Sequence, residues 1–101
     1  MGTLIYGGDF ELEVDDRMLA HLQVVIIGRL RRAESCALSW SVPKAQGSGR
    51  ETIWLNPHTA LRFRFDSAER HTINPAWVAL ISETANRGDI QLVQEPQTAA
   101  G

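Results

Sequence analysis

The chain has 101 residues, of which 44% are hydrophobic and 22% charged, and ten Lys plus Arg stand against twelve Asp plus Glu. That length holds one domain and excludes a two-lobed enzyme such as a nucleotidyltransferase. The composition excludes disorder for the bulk of the chain, and a net charge of −2 supplies no global basic field for DNA. The charge is segregated all the same. Residues 1–16 hold Asp9, Glu11, Glu13, Asp15 and Asp16 with no Lys or Arg, and residues 17–33 hold Arg17, Arg29, Arg31 and Arg32 with no acid. Cys36, the one cysteine, excludes an internal disulfide and a Cys-rich zinc site. No basic n-region opens the chain, and no apolar run approaches the roughly 20 residues that span a bilayer. A soluble cytoplasmic protein with no membrane contact is therefore expected.

Thr3–Tyr6 is a short apolar run, followed by Gly7-Gly8, a dipeptide suited to a hairpin turn. Phe10–Val14 alternates strictly, with Phe10, Leu12 and Val14 on one face and Glu11 and Glu13 on the other, as a half-buried strand does. Asp15 or Asp16 can cap the next element. From Arg17 to about Ala33 the apolar spacing is helical. Met18, Leu19, Leu22, Val25, Ile26 and Leu30 form one broad face. Ala20, Val24 and Ile27 form a second strip outside it, which suggests a partner surface, unless a second helix or the Asn56–Ala60 segment covers it. His21 falls on the polar side and is expected to face solvent.

Three strands follow: Ser35–Val42, Glu51–Leu55 and Ala60–Asp66. The stretch Pro43–Gly49 between the first two is a glycine- and serine-containing loop, and Asn56-Pro57 ends the second. In the third, Leu61, Phe63 and Phe65 point inward and Arg62 and Arg64 outward. After a polar connector, Ser67–Ile73, the pair Asn74-Pro75 is a helix start, with Asn as N-cap and Pro at N1. Trp77, Leu80, Ile81 and Thr84 line one face of this helix, and Asn86-Arg87-Gly88 stops it. Ile90–Val93 is a last strand, and the chain beyond is expected to fray, with the domain taken as residues 1–95 and the tail as 96–101.

The order is ββαβββαβ. Short links between strands imply a mostly antiparallel sheet, and its one apolar face implies two helices on a single side, so the fold class is α+β, a two-layer sandwich.

Several segments in this order resemble one family: MGTLIYGG, DDRMLAHLQVVI, RLRRAESCALSW, GSGRETIWLNP, LRFRF and NPAWVALISETAN. It is a family of small actinobacterial proteins of this chain's size and of unknown function, whose members often bear the designation ATP-dependent DNA ligase. The resemblance implies a link to DNA repair at most by context. A ligase needs an adenylate-accepting lysine in a Lys-x-Asp-Gly setting. The nearest stretch here, Lys44-Ala45-Gln46-Gly47, lacks the Asp and holds the only lysine. The family lends no functional residues.

The remaining motifs are weak. Gln46–Arg50 is not a Walker loop, which needs G-x-x-x-x-G-K-[ST] between a strand and a helix. Ser48 is flanked by single glycines and is not a nucleophile elbow. His21, His58 and His71 lie in three separate elements with no ligand or triad spacing. No catalytic residue, metal site or cofactor is expected. Arg62 and Arg64, with Trp54 sharing their sheet face, could contact phosphates and stack bases. Against this stands pairing of the two arginines with Glu11 and Glu13, should those strands lie close together. Arg29 falls within the apolar stripe of the first helix, where it either snorkels at the sheet rim or, with Arg32, contacts an anion or partner. The expected function is that of a non-catalytic binding module, homodimeric through Ala20, Val24 and Ile27. The alternative is a nucleic-acid-binding accessory protein using Arg62, Arg64 and Trp54.

Overall fold

A computed structural model of the chain describes residues 1–42 and 49–97. Lys44, Ser48 and most of the loop that carries them lie outside the described residues, as do the last four residues of the tail. The order ββαβββαβ is the one read from the sequence: β1 (Gly2–Tyr6), β2 (Phe10–Val14), α1 (Asp16–Arg31), β3 (Cys36–Val42), β4 (Gly49–Leu55), β5 (Leu61–Arg64), α2 (Pro75–Asn86) and β6 (Asp89–Gln91). Gly7 and Gly8 turn β1 into β2 at φ +68° and +93°, a region open to residues without a Cβ. Asp15 caps α1, accepting from the N–H groups of Arg17 and Met18 at 3.1 and 3.4 Å. Asn74 caps α2 through Ala76 N–H at 3.0 Å, with Pro75 at N1.

The strands divide into two three-stranded sheets, ordered β2-β1-β5 and β4-β3-β6. The first is wholly antiparallel, whereas in the second β6 runs parallel to β3. Asn56-Pro57 is the reason β5 does not continue beside β4. Proline lacks a ladder N–H, and Asn56 Oδ1 accepts from His58 N–H at 2.9 Å to make a tight turn. The turn delivers β5 to the far edge of β1, where Gly7 N–H extends the ladder by donating to Ala60 C=O at 2.9 Å. Tyr6 pins the corner, its hydroxyl donating to Trp54 C=O and approaching Thr59 Oγ1.

Helix α1 packs on β1, α2 on β6 and β3, and the helices pack on each other, so one core serves both sheets. Leu4, Leu12 and Val14 enter it from the first sheet and Leu38, Leu55 and Ile90 from the second. Leu19, Leu22 and Ile26 enter from α1, and Trp77 and Ile81 from α2. Each fully buried aliphatic side chain here stabilises the fold by roughly 1.5–3 kcal/mol. No helix among the described residues is long and apolar enough to cross a membrane.

Candidate functional site

A cleft of about 1270 Å³ lies between the two sheets. Its walls are two runs of consecutive residues, Phe10–Glu13 of β2 and Ser39–Val42 of β3. Side chains of a strand alternate between faces, so a wall of consecutive residues is a strand seen along its edge. The topology explains both edges. Among the described residues, strand β2 is outermost in its sheet and pairs only with β1. Strand β3 is central, but β6 reaches only from Ala37 to Ser39, so Trp40–Val42 have no ladder partner on that side among the described residues. Two unpaired edges therefore border the same space.

Phe10 and Trp40 span the gap as a stacked pair, with ring centroids 5.2 Å apart and planes 13° from parallel. Such a pair adds roughly 0.5–1.5 kcal/mol beyond its area burial. Around it stand the carboxylates of Asp9, Glu11, Glu13 and Glu51, with Arg50 the one basic side chain among the described lining residues. Ser39, on the cleft wall, is buried and shares a 2.6 Å hydroxyl bond with Thr52.

The expected arginine and tryptophan face does not form. Arg62 and Arg64 lie on β5 in the first sheet, and Trp54 lies on β4 in the second, 59% exposed. The two sheets share no ladder, because the turn at Pro57 sends β5 to β1 instead of β4. Arg64 lies 3.7 Å from Glu11 across the intervening β1. The registers place Glu11, Ile5 and Arg62 in one row and Glu13, Thr3 and Arg64 in the next, so the contact runs diagonally between rows on one sheet face. The pairing of acidic and basic strand faces is thus present in part, between exposed side chains and weak.

Arg29 turns inward. Its side chain is 14% exposed, and its guanidinium donates to Asn86 Oδ1 at 2.6 Å and to Ser82 C=O at 3.4 Å. A cation at the C-terminal end of α2 complements the helix dipole and ties the two helices together. Glu34 serves as anion for both Arg29, at 3.6 Å, and the exposed Arg32, at 2.8 Å.

His21 is not on the surface. It is 0% exposed, its ring 4.4 Å from that of Trp77. Nδ1 donates to Arg17 C=O at 2.7 Å and Nε2 accepts from Asn74 N–H at 2.8 Å, which defines the Nδ1–H tautomer. The helical angle is the one the periodicity predicts, but α2 and its N-cap cover that side of α1. Glu95 does not fray either. It accepts from Arg17 Nε and Nη2 at 2.9 and 2.7 Å and from Asn74 Nδ2 at 2.9 Å. The bond from Arg17, then that from Asn74, hold its carboxyl down at about 2. Trp77 Nε1 donates to Val93 C=O at 2.9 Å, so the segment after β6 is fastened at two points. No composition or spacing signal marks this network, whose members are scattered from residue 17 to residue 95.

Of the second apolar strip, Ala20 and Val24 line a groove of about 690 Å³, while Ile27 is half-buried and apart from it. The opposite wall is not the Asn56–Ala60 segment or α2. It is formed by the connector after β5, with Phe65, His71 and Ile73, because that connector must run back along α1 to reach the start of α2. Val24 and Ile73 remain 41% and 38% exposed. Among the described residues no three His, Cys, Asp or Glu side chains are grouped to hold a metal ion.

The model of a family described as a domain of unknown function (DUF7882) matches residues 1–95. No curated protein and no solved structure matches.

Proposed function

For a chain that belongs to the DUF7882 family, we propose the role of a non-catalytic interaction module that receives a partner in the cleft between its two sheets. The observation that carries this reading is the pair of unpaired strand edges facing one space, with an aromatic pair between them. Unpaired edges invite pairing with another chain, and proteins that do not use them cover or blunt them. The titratable side chains also favour binding over catalysis. The cleft offers carboxylates on exposed strand, Cys36 is buried with burial pushing its thiol up, and both nitrogens of His21 are engaged. We place the module in the cytoplasm, where a lone cysteine persists as a thiol. A photo-crosslinking amino acid in place of Ser41, on the cleft wall, tests the reading in the native cell. A discrete adduct is expected from this position and none from the exposed position of Arg87. Equal labelling from both positions, or none from Ser41, refutes it.

A second copy of the chain fits the groove beside α1. Exposed Val24 and Ile73 both line it, and Glu69 and Arg70 add both signs of charge to the same lining. A patch with both charges is self-complementary about a two-fold axis. Light scattering is expected to give a dimer that Val24→Asp converts to monomer. A monomeric wild type removes this part of the reading.

A further inference from the structure

We propose that the cleft binds an extended peptide segment in which basic and apolar residues alternate, added as a strand between β2 and β3. The proposal rests on the interaction-module reading and names the partner's chemistry. A strand placed along β2 would take up its outward N–H and C=O groups, and its other edge would face Trp40–Val42, where β6 has ended. The two small sheets would then become one, running β5-β1-β2-peptide-β3-β4. In such a ladder, residues directly opposite one another share a face. Those opposite Glu11 and Glu13 would stand beside carboxylates, which favours Lys or Arg at alternate positions. Those between them would follow Leu12 onto the other face, which favours apolar side chains. The described lining residues carry Asp9, Glu11, Glu13 and Glu51 against Arg50 and the Met1 ammonium, which pairs with Asp66, and Glu11 has Arg64 at 3.7 Å. The balance remains acidic and favours a basic segment over an acidic one.

Three labelled hexapeptides test this against the full chain enriched in ¹⁵N: alternating Lys-Val, alternating Glu-Val, and the Lys-Val peptide with all its backbone amides methylated. The Lys-Val peptide is expected to saturate and to shift the amide signals of residues 10–13 and 40–42. Methylation should abolish binding by removing the ladder donors. The double substitution Glu11→Gln and Glu13→Gln should weaken binding roughly fivefold at low salt, the scale of two exposed ion pairs. Folding of that variant is checked by its unshifted core signals. Equal binding of the Glu-Val peptide overturns the basic preference, and equal binding of the methylated peptide overturns strand addition. Cleft signals that shift with protein concentration alone assign the cleft to a second copy and overturn the proposal too. Should no peptide bind while Ser41 still crosslinks a partner, the proposal falls and the module reading stands.

Discussion

Replacing His21 by Leu isolates the hydrogen bond that joins α1 to the start of α2. Leucine fills much of the imidazole's space against Trp77 but has no acceptor for Asn74 N–H, which His21 Nε2 now receives at 2.8 Å in a fully buried setting. Arg17 C=O loses a donor as well, yet it remains within the helical ladder and is the lesser cost. A buried donor left unpaired costs about 1–3 kcal/mol. His21→Ala adds a cavity beside Trp77 and should bring the loss to roughly 3–5 kcal/mol. Against a total stability of about 5–15 kcal/mol for a small domain, either loss is large. Equilibrium unfolding in urea, followed by tryptophan fluorescence, measures both variants, and each 1 kcal/mol should move Tm by roughly 4–8 °C at this size. The expected order is wild type, then Leu, then Ala. A Leu variant as stable as the wild type would refute the reasoning, since it would mean that Asn74 N–H does not depend on His21.

Three other outcomes follow from single positions. Ala33 holds φ +57° just past α1, where Ala33 N–H donates to Leu30 C=O and Glu34 N–H to Arg29 C=O. Ala33→Gly should relieve left-handed strain and raise stability by about 0.5–1 kcal/mol, read as a higher urea midpoint with unchanged slope. A Cβ on Gly2 would lie 2.6 Å from Asp16 Oδ1 and from Leu19 Cδ2, and 3.1 Å from Arg64 C=O. Gly2→Ala should therefore cost about 1–3 kcal/mol, as a lower midpoint in the same assay. Because the carboxyl of Glu95 lies below its ordinary 4.5, at about 2, its contribution is fully present above pH 4.5 and is lost as pH falls toward 2. Wild type and Glu95→Gln should differ in stability above that window and converge below it. Parallel curves throughout would show that the bonds from Arg17 and Asn74 do not stabilise the fold.

Much of the architecture was open to reading along the chain because it depends on near neighbours. Alternation at Phe10–Val14 marks a half-buried strand whatever lies beside it, and Asn74-Pro75 caps a helix through its own backbone. The stripe Met18, Leu19, Leu22, Val25 and Ile26 needs only the helical repeat to define a buried face. These local rules yielded the element order and the α+β class. They also supplied the acids and the aromatic of β2 that later prove to line the cleft.

What they could not supply was which elements meet. Trp54 and Arg62 are eight positions apart and alternate correctly, yet a turn at Pro57 puts them in different sheets. His21 sits at a polar helical angle, and only the arrival of Asn74 and Trp77 from over fifty residues away makes that angle interior. The cleft itself belongs to no segment. It exists because β2 is outermost in one sheet and β6 is too short to cover β3 in the other, and strand order and strand overlap are properties of long-range pairing, which a chain's local periodicity does not encode.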